Sequence, residues 1–451
     1  MGFDCFRQFQ PYFNQILYVF DEKLQKMNKN KEILIVGFAL FSMFFGAGNL
    51  ILPPYLGVKA GEVWSLVTIG FFITAVFIPI LGILAHAKLQ GTMYDFGKKV
   101  SPSFSWAYCL IVYTISITLP APRTASVTHE MAIAPFFEIS PLLTSIIYFV
   151  LVFLFVINRS KILSLIGKYL TPLIILILTS IICVGIFSVP ETMRASSLTS
   201  PLINGLLEGY QTFDAIGAIV VGGVLIVSIN FKKDLSFEIK KELISKAGFV
   251  AGIGLLIIYT GLIYNGALFS NTFPSEATRV EVLSGLSTQT LGNIGTAFLS
   301  VLVGLACFTT AIGIITGTSD YIKGLFNNSQ RAYTITAIIS CTLGIAVGQF
   351  DVHHIINIAL PALMFIYPIT IVLIFLNVLP NKWASSLVFK AVVFVTFVFS
   401  IPDFLQFLLP ADSLSEIQNM IPFSKESLGW VLPALMAFIA VNLIQKKQRN
   451  T

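Results

Sequence analysis

The feature that most limits how this chain can fold is its series of long apolar runs. About twelve stretches reach roughly 18 residues or more, the length needed to cross a hydrocarbon core. They fall approximately at 33–56, 63–86, 104–133, 141–158, 166–188, 204–229, 247–269, 293–322, 333–349, 354–378, 386–409 and 428–445. None shows the dyad alternation of a barrel strand and all are too long for one, so each is read as a helix. Charged residues make up only 11% of the 451, against about a quarter in soluble domains, and mean hydropathy is +0.85. A soluble globular protein is excluded; an all-α polytopic membrane protein is expected.

Basic residues cluster in alternate connections: Lys29 and Lys31 before the first run, Lys88, Lys98 and Lys99 after the second, and Arg159, Lys161 and Lys168 after the fourth. The pattern continues with Lys232, Lys233, Lys240, Lys241 and Lys246, then Lys323 and Arg331, Lys382, and Lys446 with Lys447. Positive residues mark cytoplasmic loops, so both termini are expected inside and the number of spans even. This placement accounts for the excess of 28 Lys+Arg over 22 Asp+Glu without a nucleic-acid partner. Residues 1–32, with Phe6, Tyr12, Phe13 and Tyr18 among Arg7, Lys23 and Lys26, lack the apolar core and cleavage site of a signal peptide and read as an interfacial arm. The five cysteines, four of them within apolar runs, imply no disulfide framework. Two connections are longer than the rest. Residues 237–243 read as a short cytoplasmic helix and 270–292 as an external lid, the alternative for both being a solvated loop helix with no gating role.

Two of the runs carry interruptions. Gly46-Ala47-Gly48-Asn49, followed by Pro53-Pro54, places poor helix formers inside the first. The sixth holds Asp214 and Gly217 within Tyr210-Gln211-Thr212-Phe213-Asp214-Ala215-Ile216-Gly217-Ala218. Broken backbone at membrane depth is tolerated where it is buried in protein or lines a cavity. These runs lie five spans apart and enter from opposite sides, the pattern of a five-plus-five inverted repeat with its site where the broken helices meet. The expected organisation is a first repeat over 33–190, a second over 204–378, and two further spans with a tail over 386–451.

At the first break, the N-terminus of the following half-helix offers free N–H groups to a carboxylate, and freed carbonyls can hold a cation. The competing reading is that the glycines permit close helix packing. Thr309 and Thr310 in the eighth run offer two hard oxygens to a small cation or, alternatively, bond back to carbonyls one turn earlier. Ionisable groups at depth are few and are functional candidates: Arg123, Glu130 and Asp214. Arg123 and Glu130 are two turns apart on one face and cannot touch, so each needs its own partner. For Asp214 the partner is Arg123, a substrate ammonium or a cation. No nucleotide-binding G-x-x-x-x-G-K-[ST] occurs, and no nucleophile, base or metal cluster that would make an enzyme is evident. A transporter fits the two broken helices better than a channel or a ligand-sensing membrane protein.

The stretch Phe44-Phe45-Gly46-Ala47-Gly48-Asn49-Leu50-Ile51-Leu52-Pro53-Pro54-Tyr55-Leu56-Gly57, with Pro122-Arg123-Thr124-Ala125 and Glu130-Met131-Ala132-Ile133-Ala134-Pro135-Phe136, resembles the bacterial branched-chain amino acid:cation symporters of the BrnQ type. The likeness extends over the whole length. It implies a LeuT-type fold in the bacterial plasma membrane and import of leucine, isoleucine and valine with a cation, usually Na⁺, and no organic cofactor; H⁺ coupling or uncoupled transport is the alternative. Gly46, Ala47 and Gly48 would hold the substrate carboxylate, with Arg123 and Asp214 in the same substrate set, and Tyr210 and Phe213 would line the apolar pocket. The Ser42, Phe45 and Ala306 carbonyls with the Thr309 and Thr310 hydroxyls would form the Na⁺ site. Asn49 and Thr212 stand where a second cation site is expected, but Asp214 replaces a small polar residue there, which puts that site in question.

Overall fold

The computed structural model describes residues 29–158, 166–187, 192–232, 235–274, 276–407 and 409–450. Most of the expected interfacial arm lies outside them, as do Arg159, Lys161 and Lys233. The described residues form helices and connecting turns, with no strand among them.

In chain order the helices are α1 (29–44), α2 (Ala47–Ala60), α3 (64–89) and α4 (Pro102–Ile133), then α5 (Pro141–Ile157), α6 (Thr171–Phe187) and α7 (Pro201–Tyr210). There follow α8 (Asp214–Lys232), α9 (Phe237–Leu268), α10 (Arg279–Leu325), α11 (Gln330–Gly348), α12 (Val352–Val378), α13 (Ser386–Leu405) and α14 (Val431–Asn450). Among the described residues nine helical runs are apolar and long enough to cross a membrane. The run from Ala47 to Leu89 counts once among them although it holds α2 and α3, parted at Gly61, whose φ of 50° takes it off the helical path.

Two connections differ from expectation. Residues 237–243 are the first turns of α9 and not a separate helix; no Gly or Pro interrupts the sequence there, and Glu242 pairs with Lys246 one turn on at 2.6 Å and with Lys29 of α1 at 2.5 Å. Within 270–292, Thr278 caps the start of α10, which continues through a kink at Gly292, φ 60°. The cap is reciprocal: Thr278 N donates to Glu281 Oε2 at 2.8 Å and Glu281 N to Thr278 Oγ1 at 3.2 Å. The donated backbone bond holds the Glu281 carboxyl below its ordinary pKa.

The broken pairs form the centre. α2 packs on α9 and α10, α7 and α8 on α3, and the middle of α4 on α10; α13 and α14 pack together beside α12, outside this group. The outer faces are apolar, with Ile147, Val150, Leu151 and Leu154 of α5 and Leu173 and Leu176 of α6 exposed, the surface a bilayer covers.

Candidate substrate and cation sites

The first interruption falls at Phe45–Gly46. Gly46 is extended (φ −112°, ψ −158°), and Asn49 Oδ1 turns back to accept its N–H at 3.1 Å, satisfying one donor at the start of α2. Pro53 and Pro54 lie inside α2 and have no N–H, so the Asn49 and Leu50 carbonyls lose their helical donors. The second interruption spans Gln211–Phe213. There Phe213 has φ 65°, an uncommon left-handed conformation for a bulky side chain, and Thr212 Oγ1 accepts from Asp214 N at 3.2 Å while donating to Gly209 O at 2.8 Å.

The two breaks meet. Asn49 Nδ2 donates to Asp214 Oδ2 at 2.7 Å and contacts the Tyr259 hydroxyl, which itself donates to Asp214 Oδ2 at 3.1 Å. One carboxylate thus ties α2, α8 and α9 together. Arg123 comes from α4 just past a kink at Leu119 (φ −120°, ψ −70°), where Pro120 and Pro122 remove helical donors. Its Nη1 and Nη2 both donate to Gln211 O at 3.0 Å, and its Cζ lies 5.1 Å from the centre of the Phe213 ring. Arg123 is 3% exposed, and its Nε has no partner. Of the partners open to Asp214 in the sequence, Arg123 is not the one it bonds; the guanidinium holds the broken backbone instead. A Cβ on Gly48 would come within 2.5 Å of Arg123 Nη2, so glycine is what lets the two approach.

Between the breaks is a cavity of about 30 Å³, room for a water or two and less than an amino acid needs. Gly46, Ala47, Gly48, Asn49, Arg123, Thr212, Phe213 and Asp214 line it, with Ser116, Thr124 and Thr310. Its remaining wall is apolar: Met43, Phe44, Pro120, Ile216, Gly217, Val220, Val221 and Ile314. Tyr210 does not line it. As the last residue of α7, it turns its ring onto Tyr367, centroids 4.6 Å apart, while Phe213, one residue beyond the bend, faces the cavity. Sequence reasoning missed Phe44 and Gly217 on the wall and Tyr259 at the carboxylate. A single hydroxyl in an apolar run gives no local signal for Tyr259.

One turn before the first break lies the other expected cluster. Thr309 Oγ1 is 2.9 Å from Ser42 O, 3.0 Å from Ala306 O and 2.9 Å from Ser42 Oγ, and Thr310 Oγ1 donates to Met43 O at 3.2 Å. Thr309 therefore makes the one-turn back-bond and the cross-helix contact together. A Cβ on Gly46 would meet Thr310 Oγ1 at 2.7 Å, so close packing also applies at this glycine. Phe45 stacks on Phe41 at 5.3 Å and on Tyr259 at 5.9 Å, which fixes the end of α1. Glu130 belongs to neither cluster: its Oε1 accepts Val352 N at the start of α12, 2.9 Å. On the Tyr55 side of the breaks Arg279 reaches Glu208 Oε1 at 3.0 Å and Gln211 Oε1 at 3.4 Å and lies over the Tyr55 ring at 4.8 Å, joining the capped start of α10 to α7 and α2.

Discontinuous helices that meet around a site are a general feature of inverted-repeat transporters. The chain is similar to a Na⁺-coupled sialic acid symporter in a substrate-bound outward-open state, with TM-score 0.55, 15% identity, and 91% of this chain and 90% of that one covered. It is also similar to MhsT in complex with L-phenylalanine, with TM-score 0.54, 17% identity, and 90% and 98% covered. At such identities these likenesses show the fold, a LeuT-type one. Family membership rests on sequence: the profile described as branched-chain amino acid transport protein matches residues 29–448. The chain belongs to that family. Among curated members, this family member is 31% identical over 420 residues to the branched-chain amino acid transport system 2 carrier protein of Pseudomonas aeruginosa, covering 91% of this chain and 95% of the relative. With the branched-chain amino acid permease BraB of Bacillus subtilis it shares 32% identity over 422 residues, 91% and 94% covered.

Proposed function

We propose that this protein imports leucine, isoleucine and valine through the bacterial plasma membrane, driven by Na⁺, by alternating access between two five-helix repeats over 33–190 and 204–378, with both termini inside. The observation that carries the reading is the meeting of the two breaks around one buried guanidinium and one buried carboxylate. A zwitterion needs both signs a few ångströms apart, and an aliphatic side chain needs the apolar wall beside them. In this reading the substrate carboxylate lies against the Gly46–Gly48 backbone, at the N–H groups of Ala47 and Gly48 with the free Arg123 Nε–H, its ammonium at Asp214, and Phe213 closes over it.

Na⁺ is assigned to the Ser42, Phe45 and Ala306 carbonyls with the Thr309 and Thr310 hydroxyls, hard oxygens of the kind such a cation takes. A cation there fixes the end of α1 and with it the N–H groups of the next half-helix, so the two ligands share one element. Asn49 and Thr212 act in holding Asp214 and the break, and a single cation per cycle is proposed in place of a second cation site. The cavity is smaller than the substrate, so Phe213 and Arg123 move on binding, and the pairing of Arg279 with Glu208 closes the outer side. Discrimination among three aliphatic side chains differing by a methylene is worth about 1–3 kcal/mol, which fits a transporter of the whole group.

The test is labelled leucine uptake into proteoliposomes under an inward Na⁺ gradient. Accumulation above equilibrium that disappears when choline replaces Na⁺ at fixed pH is expected. Accumulation that survives the replacement would assign coupling to H⁺; flux without accumulation would assign a channel or uncoupled carrier.

A further inference from the structure

From Gln211 to Ile226 every residue is buried except Gly217, which is half-buried at the cavity wall. A glycine inside a helix needs a reason, because it weakens the helix. Most neighbouring glycines have one in packing: a Cβ on Gly209 would run into Thr74, one on Gly222 into the His86 ring, and one on Gly317 would come within 2.7 Å of Val220. At Gly217 the nearest atoms are Phe44 Cδ1 at 3.7 Å and Cε1 at 3.9 Å, ordinary contact distances that leave room for a methyl group. Packing does not require glycine here and helix formation disfavours it. What it leaves open is space on the apolar wall, one helical turn along α8 from Asp214.

We infer that Gly217 sets the depth of the side-chain pocket, providing the space into which the distal methyls of a branched aliphatic amino acid extend against Phe44. This deepens the proposed function and rests on it. Position 217 is thereby a selectivity position: a methyl group added there removes about one methylene of depth, which valine does not need and leucine and isoleucine do.

The experiment compares Na⁺-driven uptake of labelled valine, leucine and isoleucine by wild type, Gly217→Ala and Gly223→Ala in proteoliposomes. Gly223 is a control from the same helix, with nothing within 4 Å of an added Cβ and no place on the cavity wall. In Gly217→Ala the kcat/KM for leucine and isoleucine is expected to fall relative to valine by roughly tenfold or more, the usual discrimination for one methylene, with the thermal midpoint equal to or above wild type. Gly223→Ala leaves the ratios unchanged. Equal loss for all three substrates, unchanged ratios, or a lowered midpoint in Gly217→Ala would each overturn the inference while leaving branched-chain transport intact. Wild-type protein that carries none of the three would remove the underlying function, and the inference with it.

Discussion

Arg123 directs both Nη atoms at one carbonyl, that of Gln211, from a position 3% exposed, with Phe213 beneath it. A lysine has the charge but neither the planar fork nor the stacking face, so Arg123→Lys is not conservative here. Transport by Arg123→Lys is expected to fall at least tenfold in kcat/KM, measured by initial uptake rates at matched protein density; activity within twofold of wild type would show that the fork does not hold the break. Asp403 of α13 poses the opposite problem. It is fully buried, neither carboxylate oxygen has a hydrogen-bond partner, and the nearby Trp430 indole turns to the Tyr210 hydroxyl and not to this carboxylate. An unsatisfied buried polar group costs about 1–3 kcal/mol, and no role in the proposed cycle offsets it. Asp403→Leu, close in volume, is therefore expected to raise the thermal midpoint of the detergent-solubilised protein by several degrees, and a fall would show that the carboxylate has an unrecognised partner.

For the helices, legibility divides along local and tertiary lines. Gly46, Gly48, Pro53 and Pro54 disfavour helix whatever surrounds them, and Asp214 is costly inside an apolar run, so both breaks were readable from composition alone. A loop helix within 270–292 is legible, but its start at Arg279 and its continuity with the eighth run are not, because the Thr278–Glu281 capping box that starts it lies in what hydropathy presents as a loop. Tyr210 lies off the cavity that Phe213 lines because the bend at Phe213, φ 65°, turns neighbouring side chains to different sides, and such a backbone angle in a non-glycine residue has no sequence signature. Thr309 shows a third case: alone, its hydroxyl reads as an ordinary back-bond, and only the approach of α1 turns it toward Ser42 O. The Arg279–Glu208 contact supplies its own prediction. Arg279 and Glu208 side chains are 21% and 16% exposed, so solvent screens their pair only in part and it is worth about 1 kcal/mol, the upper end for pairs that water reaches. Arg279→Ala and Glu208→Gln are each expected to speed leucine release toward the outside by up to roughly fivefold, with the double variant no faster than the faster single. Additive acceleration would show that they act separately.

Across the whole molecule, the proposed cycle needs the cation and the substrate to affect one another through α1 and α2. Thr309 and Thr310 hold the end of α1 at Ser42 and Met43; three to six residues on, the same strand of backbone presents Gly46, Ala47 and Gly48 to the cavity. Binding free energies linked in this way are reciprocal: Na⁺ must tighten leucine by the factor by which leucine tightens Na⁺. Equilibrium binding of leucine over a range of Na⁺, and of Na⁺ over a range of leucine, is expected to return one factor, on the order of 5–150. Thr309→Ala and Thr310→Ala weaken Na⁺ and raise the concentration needed for half-maximal uptake; of the two, Thr310 also lines the cavity around Asp214 and Phe213, whereas Thr309 does not. Leucine affinity without Na⁺ should therefore stay at its wild-type value in Thr309→Ala while the Na⁺-dependent gain disappears. Loss of affinity in both conditions would mean that Thr309 supports the break directly, and an unchanged gain would move the cation away from α1 altogether.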